Sequence, residues 1–291
     1  MVIKRKKGEV VFDIFNYLFL SLFCASTLYP FIFLLLVSLG VSGMHNSINP
    51  FKSINTANLS AYIHVIGNEY IIYGFISTLK RTLIGTPLTL IVSILTAYPL
   101  SKRNFPNRGF WTGFMVFTMF FNGGIVPNYL LIRSLGLIDK IWALVLPHLI
   151  ATFTMIIMRN YFMSLPDSLE EAAKIDGAND FIILFMILVP ICAPIIATVT
   201  LWTVVYHWNA WFDSMIYITS SKKQVLQVAL RRIVLEGMQH TMEFQAEGDS
   251  FISPDTIKAA VVMVVSIPII IAYPFAQKYF VKGIMMGSLK G

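Results

Sequence analysis

The stretch SLEEAAKIDGAND, residues 168–180, is a short polar segment between two long apolar runs. IWALVLPHLIATFTMIIM (141–158) precedes it, and FIILFMILVPICAPIIATVTLW (181–202) follows it. Each run approaches the roughly 20 apolar residues that a helix needs to cross a bilayer. A connector between two spans does not require this density of charged, small and glycine residues. The segment therefore decides what kind of membrane protein the chain forms.

The composition of the whole chain is that of a membrane protein. The 291 residues are 56% hydrophobic and 13% charged, with a mean hydropathy of +0.71. A soluble domain carries about 25% charged residues. We therefore predict an all-α polytopic membrane protein. The net charge of +7 does not indicate a nucleic-acid partner, because no basic patch is interleaved with aromatic residues.

Six membrane-spanning helices are predicted, in a single domain covering residues 1–291. The first apolar stretch, from Val11 to about Val41, exceeds the 7–15 residues of a signal-peptide core, so we expect a retained span. The third span is interrupted at residues 121–127, where FNGG and a proline favour a re-entrant bend at one membrane surface. The predicted spans lie near 13–41, 73–100, 110–132, 141–163, 181–206 and 258–281.

The distribution of basic residues predicts the orientation. Short loops with many lysines and arginines stay in the cytoplasm. Such clusters precede the first span, follow the second and follow the sixth. Both termini and residues 168–180 are then cytoplasmic, whereas the long loop 213–257 lies outside. Within that loop, apolar residues at helical spacing in 225–238 predict an amphipathic helix along the outer surface.

The polar segment has the local signals of one helix of about nine residues. Ser168 and Glu171 have the spacing of a capping box, in which each side chain accepts a hydrogen bond from a backbone N–H of the other. Glu170 and Lys174 stand at i and i+4 in the favourable order. From these residues alone, two interpretations stay open: a solvated connector between spans, and a helix that docks onto a partner.

The end of this helix is marked as clearly as its start. Gly177 stands where a helix adopts a left-handed stop, and Asn179 or Asp180 can cap the next helix. One face of the helix is predicted to be mostly small, which lets a partner approach closely: Leu169, Ala172, Ala173 and Asp176.

The wider spacing resembles a known motif. Glu171-Ala172-Ala173, three residues, Gly177, nine residues and ILVP (187–190) resemble the EAA motif of binding-protein-dependent ABC importer permeases, with Val189 as the one departure. AYPLSK (97–102), NGGIVPNYLLIRSLGLID (122–139), HWNAW (207–211) and the tail 277–291 are similar to the carbohydrate branch of that family, which serves oligosaccharides.

The resemblance implies the type I ABC importer permease fold in a bacterial cytoplasmic membrane. It implies that 168–177 is a coupling helix that docks onto an ATPase. Glu171 then pairs with the ATPase surface, and Gly177 permits the bend that follows. The coupling residues implied are Glu170, Glu171, Ala172, Ala173, Asp176 and Gly177. The expected partners are a second, different permease subunit, a cytoplasmic ATPase dimer, an extracytoplasmic sugar-binding protein and membrane lipid.

No cofactor is expected in this chain. It lacks a GxxxxGK[ST] phosphate loop, so ATP and Mg²⁺ belong to the ATPase partner and the chain is not an enzyme. The five histidines are scattered along the sequence, which argues against a metal site.

The segment WTVVYHWNAWFD (202–213) is the candidate sugar path. Asn209 and Asp213 at i and i+4 predict one polar helix face, although an aromatic belt at the outer membrane interface is the equal alternative. Lys80 and Arg81, early in the second span, are expected to snorkel to the outer interface, the alternative being a protein interior. The path candidates are Tyr206, Trp208, Asn209, Trp211 and Asp213.

The predicted function is a permease subunit of an ATP-driven carbohydrate importer. Three alternatives remain. The first is an importer of the same architecture that carries a peptide or a polyamine. A secondary carrier has internal repeats and ionisable residues at mid-membrane, neither of which is seen in the sequence. A sensor or scaffold does not need the coupling segment.

Overall fold

The computed structural model describes residues 7–41, 58–121, 123–236 and 252–288, with the backbone alone for 272 and 275–288. These residues form helices joined by short connections, and no strand occurs among them. The predicted all-α class is confirmed. The helices are α1 Lys7–Ser38, α2 Ser60–Gly67, α3 Glu69–Ser101, α4 Arg108–Phe120, α5 Ile125–Ser134, α6 Trp142–Val145, α7 Thr152–Met163, α8 Ser168–Ile175, α9 Asp180–Ile182, α10 Val189–Ile191, α11 Ala193–Asn209, α12 Phe212–Tyr217, α13 Leu226–Arg231 and α14 Pro254–Ser288.

The chain divides into two compact units. One contains Met1–Asn68 and Arg232–Ser266, and the other Glu69–Arg231 and Ile267–Gly291. Within the first unit, the Ser38 and Tyr62 hydroxyls are hydrogen-bonded at 2.5 Å and join α1 to α2. The second unit carries the residues that the sequence singles out.

Within the described ranges, three helices are long and apolar enough to cross a membrane: α1, α3 and the first half of α14, Pro254–Ile271. Three bent pairs qualify when each is counted as one span. The pair α4–α5 bends by 111°, α6–α7 by 47°, and the pair formed by Asp180–Ile191 and α11 by 84°. The break predicted at 121–127 is present but shorter, since α4 ends at Phe120 and residues 125–127, including Pro127, form the first turn of α5. Asn122 lies outside the described residues.

Helix α3 is the central element of the second unit and packs against α7, α11 and α13. Small residues let the neighbours approach closely, as in many membrane helix pairs. A Cβ added at Gly85 would lie 2.5 Å from His207 Nε2, and one added at Gly74 would lie 3.1 Å from Leu226 Cα. Pro87 and Pro99 lie inside α3, where each removes one backbone hydrogen bond.

The predicted amphipathic helix at the outer surface is wrong for the part of 225–238 that forms α13. Val225, Leu226 and Val228 are at most 1% exposed, and the Leu226 N–H donates to Thr78 Oγ1 at 2.8 Å. The apolar spacing is helical, as predicted, but its apolar face covers α3. Residues 237 and 238 lie outside the described residues.

Candidate functional site

The polar segment forms α8, as predicted, but it begins differently. The predicted capping box is wrong: Asp167 occupies the cap position with helical dihedral angles (φ −59°, ψ −29°) and makes no side-chain cap hydrogen bond. The N–H groups of Glu170 and Glu171 already donate to the Asp167 carbonyl at 3.1 Å. Because the turn starts one residue early, Ser168 is the first helical residue rather than the cap.

The end of α8 is as predicted. Gly177 has a φ of +81°, and the N–H of Ala178 donates to the Ala173 carbonyl at 2.9 Å. The side-chain oxygen of Asn179 accepts from the Ile182 N–H at 2.9 Å and caps the next helix. The glycine stop and this cap fix the direction in which the chain leaves α8.

An ion pair joins α8 to the end of α3. Glu170 pairs with Lys102, so the predicted Glu170–Lys174 pair is wrong. Lys174 Nζ lies 4.0 Å from Asp180 Oδ1 instead. Lys102 and Glu170 are only 29% and 18% exposed, whereas an i,i+4 pair on α8 stays in solvent. Burial lowers the pKa of Lys102 to about 8, and the like charge of Lys174 adds to the shift.

The predicted small face of α8 is divided between the interior and the surface. Ala173 is 6% exposed and belongs to the core cluster that contains Met158 and Ile183. Ala172 and Asp176 are exposed, as are Glu171 and Gly177. One side of α8 is therefore packed on the protein, and the opposite side is open to a partner.

Ile175 is the residue that the sequence reasoning missed on this open side. It is 86% exposed and stands two positions after the buried Ala173. Residues two positions apart point to nearly opposite sides of a helix with 3.6 residues per turn. Its position two residues after Ala173 is therefore the signal that would have placed Ile175 on the open side of α8.

An interruption of helix α11 shapes a cavity beside the first half of α3. Helix α11 ends at Asn209, Ala210 is extended (φ −72°, ψ 129°), and α12 begins at Phe212. The prediction that Asn209 and Asp213 share one helix face is therefore wrong. Both still line one cavity of about 450 Å³, together with His148, Tyr206 and Trp211.

Arg81 lies completely buried beside this cavity. Its guanidinium donates to both carboxylate oxygens of Asp213, at 2.9 and 2.5 Å, and to the Ala210 carbonyl at 3.3 Å. Snorkelling is therefore wrong for Arg81, because a carboxylate in the protein interior compensates its charge. Lys80 is exposed and lines a different cavity.

Asp213 has a second basic neighbour. His148 Nε2 lies 3.6 Å from its carboxylate, and His148 Nδ1 is hydrogen-bonded to the Tyr206 hydroxyl at 2.8 Å. Burial acts to raise the pKa of Asp213, but the contact with His148 and the charge and hydrogen bonds of Arg81 outweigh it and lower the pKa to about 2. The sequence reasoning missed His148, whose position 58 residues before Tyr206 gives no local signal.

Trp208 is separate from the other path candidates. It is 5% exposed and packs edge to face on Phe75, with ring centroids 5.9 Å apart. Trp211 lines the cavity. The Arg231 guanidinium lies over the Trp211 ring, with its carbon 4.1 Å from the ring centroid. Four of the five candidates thus meet at one cavity, and Trp208 holds α11 against α3.

No protein-family model matches the chain, but individual relatives do. The polygalacturonan/rhamnogalacturonan transport system permease protein YtcP of Bacillus subtilis (strain 168) is 40% identical over 284 residues, which cover 97% of this chain and 99% of YtcP. Protein LplC of the same organism is 37% identical over 98% of this chain and 97% of LplC. The chain belongs to the ABC transporter permeases. The resemblance drawn from the sequence is confirmed for the family.

A solved structure shares the fold of this ABC transporter permease. It is a bacterial ABC transporter involved in the import of the acidic polysaccharide alginate. One of its chains is 31% identical, covers 96% of this chain and 100% of its own length, and superposes with a TM-score of 0.88. The permease is therefore a multi-pass membrane protein. Among its described residues, no group of three or more His, Cys, Asp and Glu side chains could hold a metal.

Proposed function

We propose that this ABC transporter permease carries an oligosaccharide inward across the cytoplasmic membrane of a bacterium, driven by a separate ATPase. Relatives named for polygalacturonan/rhamnogalacturonan transport and alginate import support a carbohydrate cargo. The cavity at His148 supports it as well. Tyr206 and Trp211 offer aromatic faces, and Asn209 and Asp213 offer hydrogen-bonding groups, which are the groups that a sugar ring requires.

Helix α8 is the contact with the ATPase in this proposal, and its two-sided exposure is the observation that carries it. Ala173 and the Lys102–Glu170 pair hold one side on the protein. Glu171 and Ile175 are presented on the open side. Such a helix transmits a push from a partner to α3, because the ion pair and the packed side leave little freedom between them.

The chain crosses the membrane six times in this proposal, with both termini and α8 in the cytoplasm. The length of α3 supports it. Lys102 follows Arg81 by 21 positions, which is about 32 Å along a helix at 1.5 Å per residue. The hydrocarbon core of a bilayer is about 30 Å thick. The α8 contact and the His148 cavity therefore lie toward opposite membrane faces.

The remaining parts of the importer belong to other chains. ATP and Mg²⁺ are bound by the ATPase dimer, a second permease subunit engages its other half, and an extracytoplasmic binding protein delivers the sugar. One EAA segment in this chain supports the need for a second permease.

The test is ATP hydrolysis by the assembled importer in proteoliposomes, stimulated by the sugar-loaded binding protein. Glu171→Lys should abolish the stimulation while assembly in the membrane is unchanged. Glu69→Lys is the matched control, since Glu69 is exposed at the far end of α3. Equal stimulation in the two variants would rule out the role of α8.

A further inference from the structure

A second cavity, of about 590 Å³, collects basic residues on the unit that carries the His148 cavity, and the two cavities share no lining residue. It is formed by the first turns of α3, the residues before α6 and the turn after α12. Four cations line it: Lys80, Lys140, Lys222 and Lys223.

Only part of this positive charge is compensated. Asp139 lines the cavity and accepts from Lys223 Nζ at 2.5 Å and from the Ser220 N–H at 3.0 Å. Over residues 7–41, 58–121, 123–236 and 252–288, no carboxylate pairs with the other three lysines. Like charges around a concave surface concentrate the field and attract anions.

The cavity lies far from α8. Lys80 lies on α3 and precedes Lys102, the residue directly after α3, by 22 positions, about 33 Å along a helix axis. The cavity and the α8 contact are thus about one bilayer thickness apart. In the proposed orientation, the cavity is on the side where the permease meets its cargo rather than the ATPase.

The walls supply more than charge. Trp142 is 42% exposed at the cavity, and Lys222 Nζ lies 5.2 Å from the centroid of the Tyr73 ring. An exposed indole face can pack against the C–H face of a sugar ring, and the Asp139 carboxylate, 27% exposed, can accept hydrogen bonds from sugar hydroxyls. The same carboxylate repels every anion, and hydrogen bonds from hydroxyl donors offset that repulsion for a saccharide but not for a simple phosphate diester.

From these contacts we infer that the lysine cavity binds a saccharide that carries carboxylates, such as an oligouronate. This inference rests on the proposed function, because it adds acidity to the proposed carbohydrate cargo. The lysines supply cations for the carboxylates and Trp142 supplies a stacking surface.

The test uses the assembled importer in nanodiscs of neutral lipid at low salt, with calorimetry of trigalacturonate and of neutral galactotriose. The triple variant Lys80→Gln/Lys140→Gln/Lys222→Gln should bind trigalacturonate at least tenfold more weakly than the parent, with galactotriose unchanged. The triple Lys→Arg variant keeps the charge and should bind like the parent. Arg133→Gln, which removes an exposed cation outside the cavity, is the matched control and should also bind like the parent.

Three outcomes overturn the inference. The triple Gln variant binds trigalacturonate as the parent does; trigalacturonate and galactotriose bind the parent equally; or phosphatidylglycerol in the nanodiscs displaces trigalacturonate from the lysines, which identifies a lipid site. The proposed function is tested separately, by measuring ATP hydrolysis of the parent importer with saccharide-loaded binding protein. If neutral but not acidic saccharides stimulate this hydrolysis, the inference is contradicted and the proposed function stands.

Discussion

Arg81 and Asp213, which are 132 positions apart in the chain, form a bidentate ion pair with N–O distances of 2.9 and 2.5 Å. The Arg81 side chain is 0% exposed and that of Asp213 12%. The pair joins α3 to the start of α12 and so fixes the wall of the His148 cavity. Removing one partner leaves the other charge buried and uncompensated.

Asp213→Ala should therefore lower the free energy of unfolding by about 3–5 kcal/mol, measured as thermal unfolding of the purified permease. The double variant Arg81→Met/Asp213→Leu should recover most of that loss, because an apolar pair leaves no buried charge. Lys174→Ala is the control: its pair with Asp180 is exposed and contributes about 1 kcal/mol or less. A loss in the double variant as large as in Asp213→Ala would contradict the argument.

Gly85→Ala should destabilise the permease, since its Cβ would meet His207 Nε2 at 2.5 Å and Cε1 at 2.6 Å. We expect a loss of about 1–3 kcal/mol from overpacking, seen in the same unfolding measurement. Gly113→Ala, in α4 with no atom within 4 Å of the added Cβ, should be neutral or stabilising by up to about 1 kcal/mol. Similar unfolding temperatures for the two variants would contradict the close packing of α3 on α11.

Ile175→Ser should reduce sugar-stimulated ATP hydrolysis while leaving thermal unfolding unchanged. The side chain is 86% exposed, so its loss removes no packing within the chain, whereas a docked partner would bury it. Ile63→Ser, at a position 70% exposed on α2, is the control for loss of an exposed isoleucine. Full stimulation in Ile175→Ser would exclude this side chain from the contact.

The Lys102–Glu170 contact predicts a pH dependence. Above about pH 8, Lys102 loses its proton, and the attraction that holds α8 to α3 is lost. Sugar-stimulated ATP hydrolysis should then fall in the parent but not in Lys102→Arg, which stays charged. Loss of this proton should not destabilise the fold, because Lys102 binds the proton less tightly in the folded chain than in the unfolded chain, where its pKa is near 10.5. Its contribution to stability therefore rises with pH between the two values. Parallel pH profiles for the two proteins would contradict this role.

The cavity at His148 predicts different consequences for two neighbouring residues. Asn209→Ala should slow uptake about tenfold at equal membrane abundance, which corresponds to about 1.4 kcal/mol. Trp208→Ala should instead lower stability by about 3–5 kcal/mol, as for other large aromatic residues removed from a core. Normal uptake by Asn209→Ala would return this segment to the alternative of an aromatic belt.

Local signals predicted the features that depend on neighbouring residues. The glycine stop at Gly177 and the cap at Asn179 need only the residues around them, and both are present. The start of α8 was predicted wrongly because Asp167 enters helical dihedral angles one residue before Ser168. The two possible starts differ by one residue, and the spacing of residue types does not decide between them.

The partners of charged residues could not be predicted in this way. Glu170 has a partner four residues away at Lys174, yet it pairs with Lys102, 68 positions distant. Arg81 and His148 meet Asp213 only because α11 stops at Asn209, and neither glycine nor proline marks that stop. Which charge compensates a buried one is decided by packing between distant segments.

Helix α3 carries Arg81 and ends directly before Lys102, and this connection has a thermodynamic consequence. Suppose that an occupant of the His148 cavity and a protein bound to α8 each favour one placement of this helix over another. Their affinities are then reciprocal: if the occupant tightens docking at α8 tenfold, docking at α8 must tighten the occupant tenfold, about 1.4 kcal/mol in each direction. The gain in cargo affinity when a protein docks at α8 then equals the gain in docking affinity when the cavity is occupied, because both are the same coupling free energy.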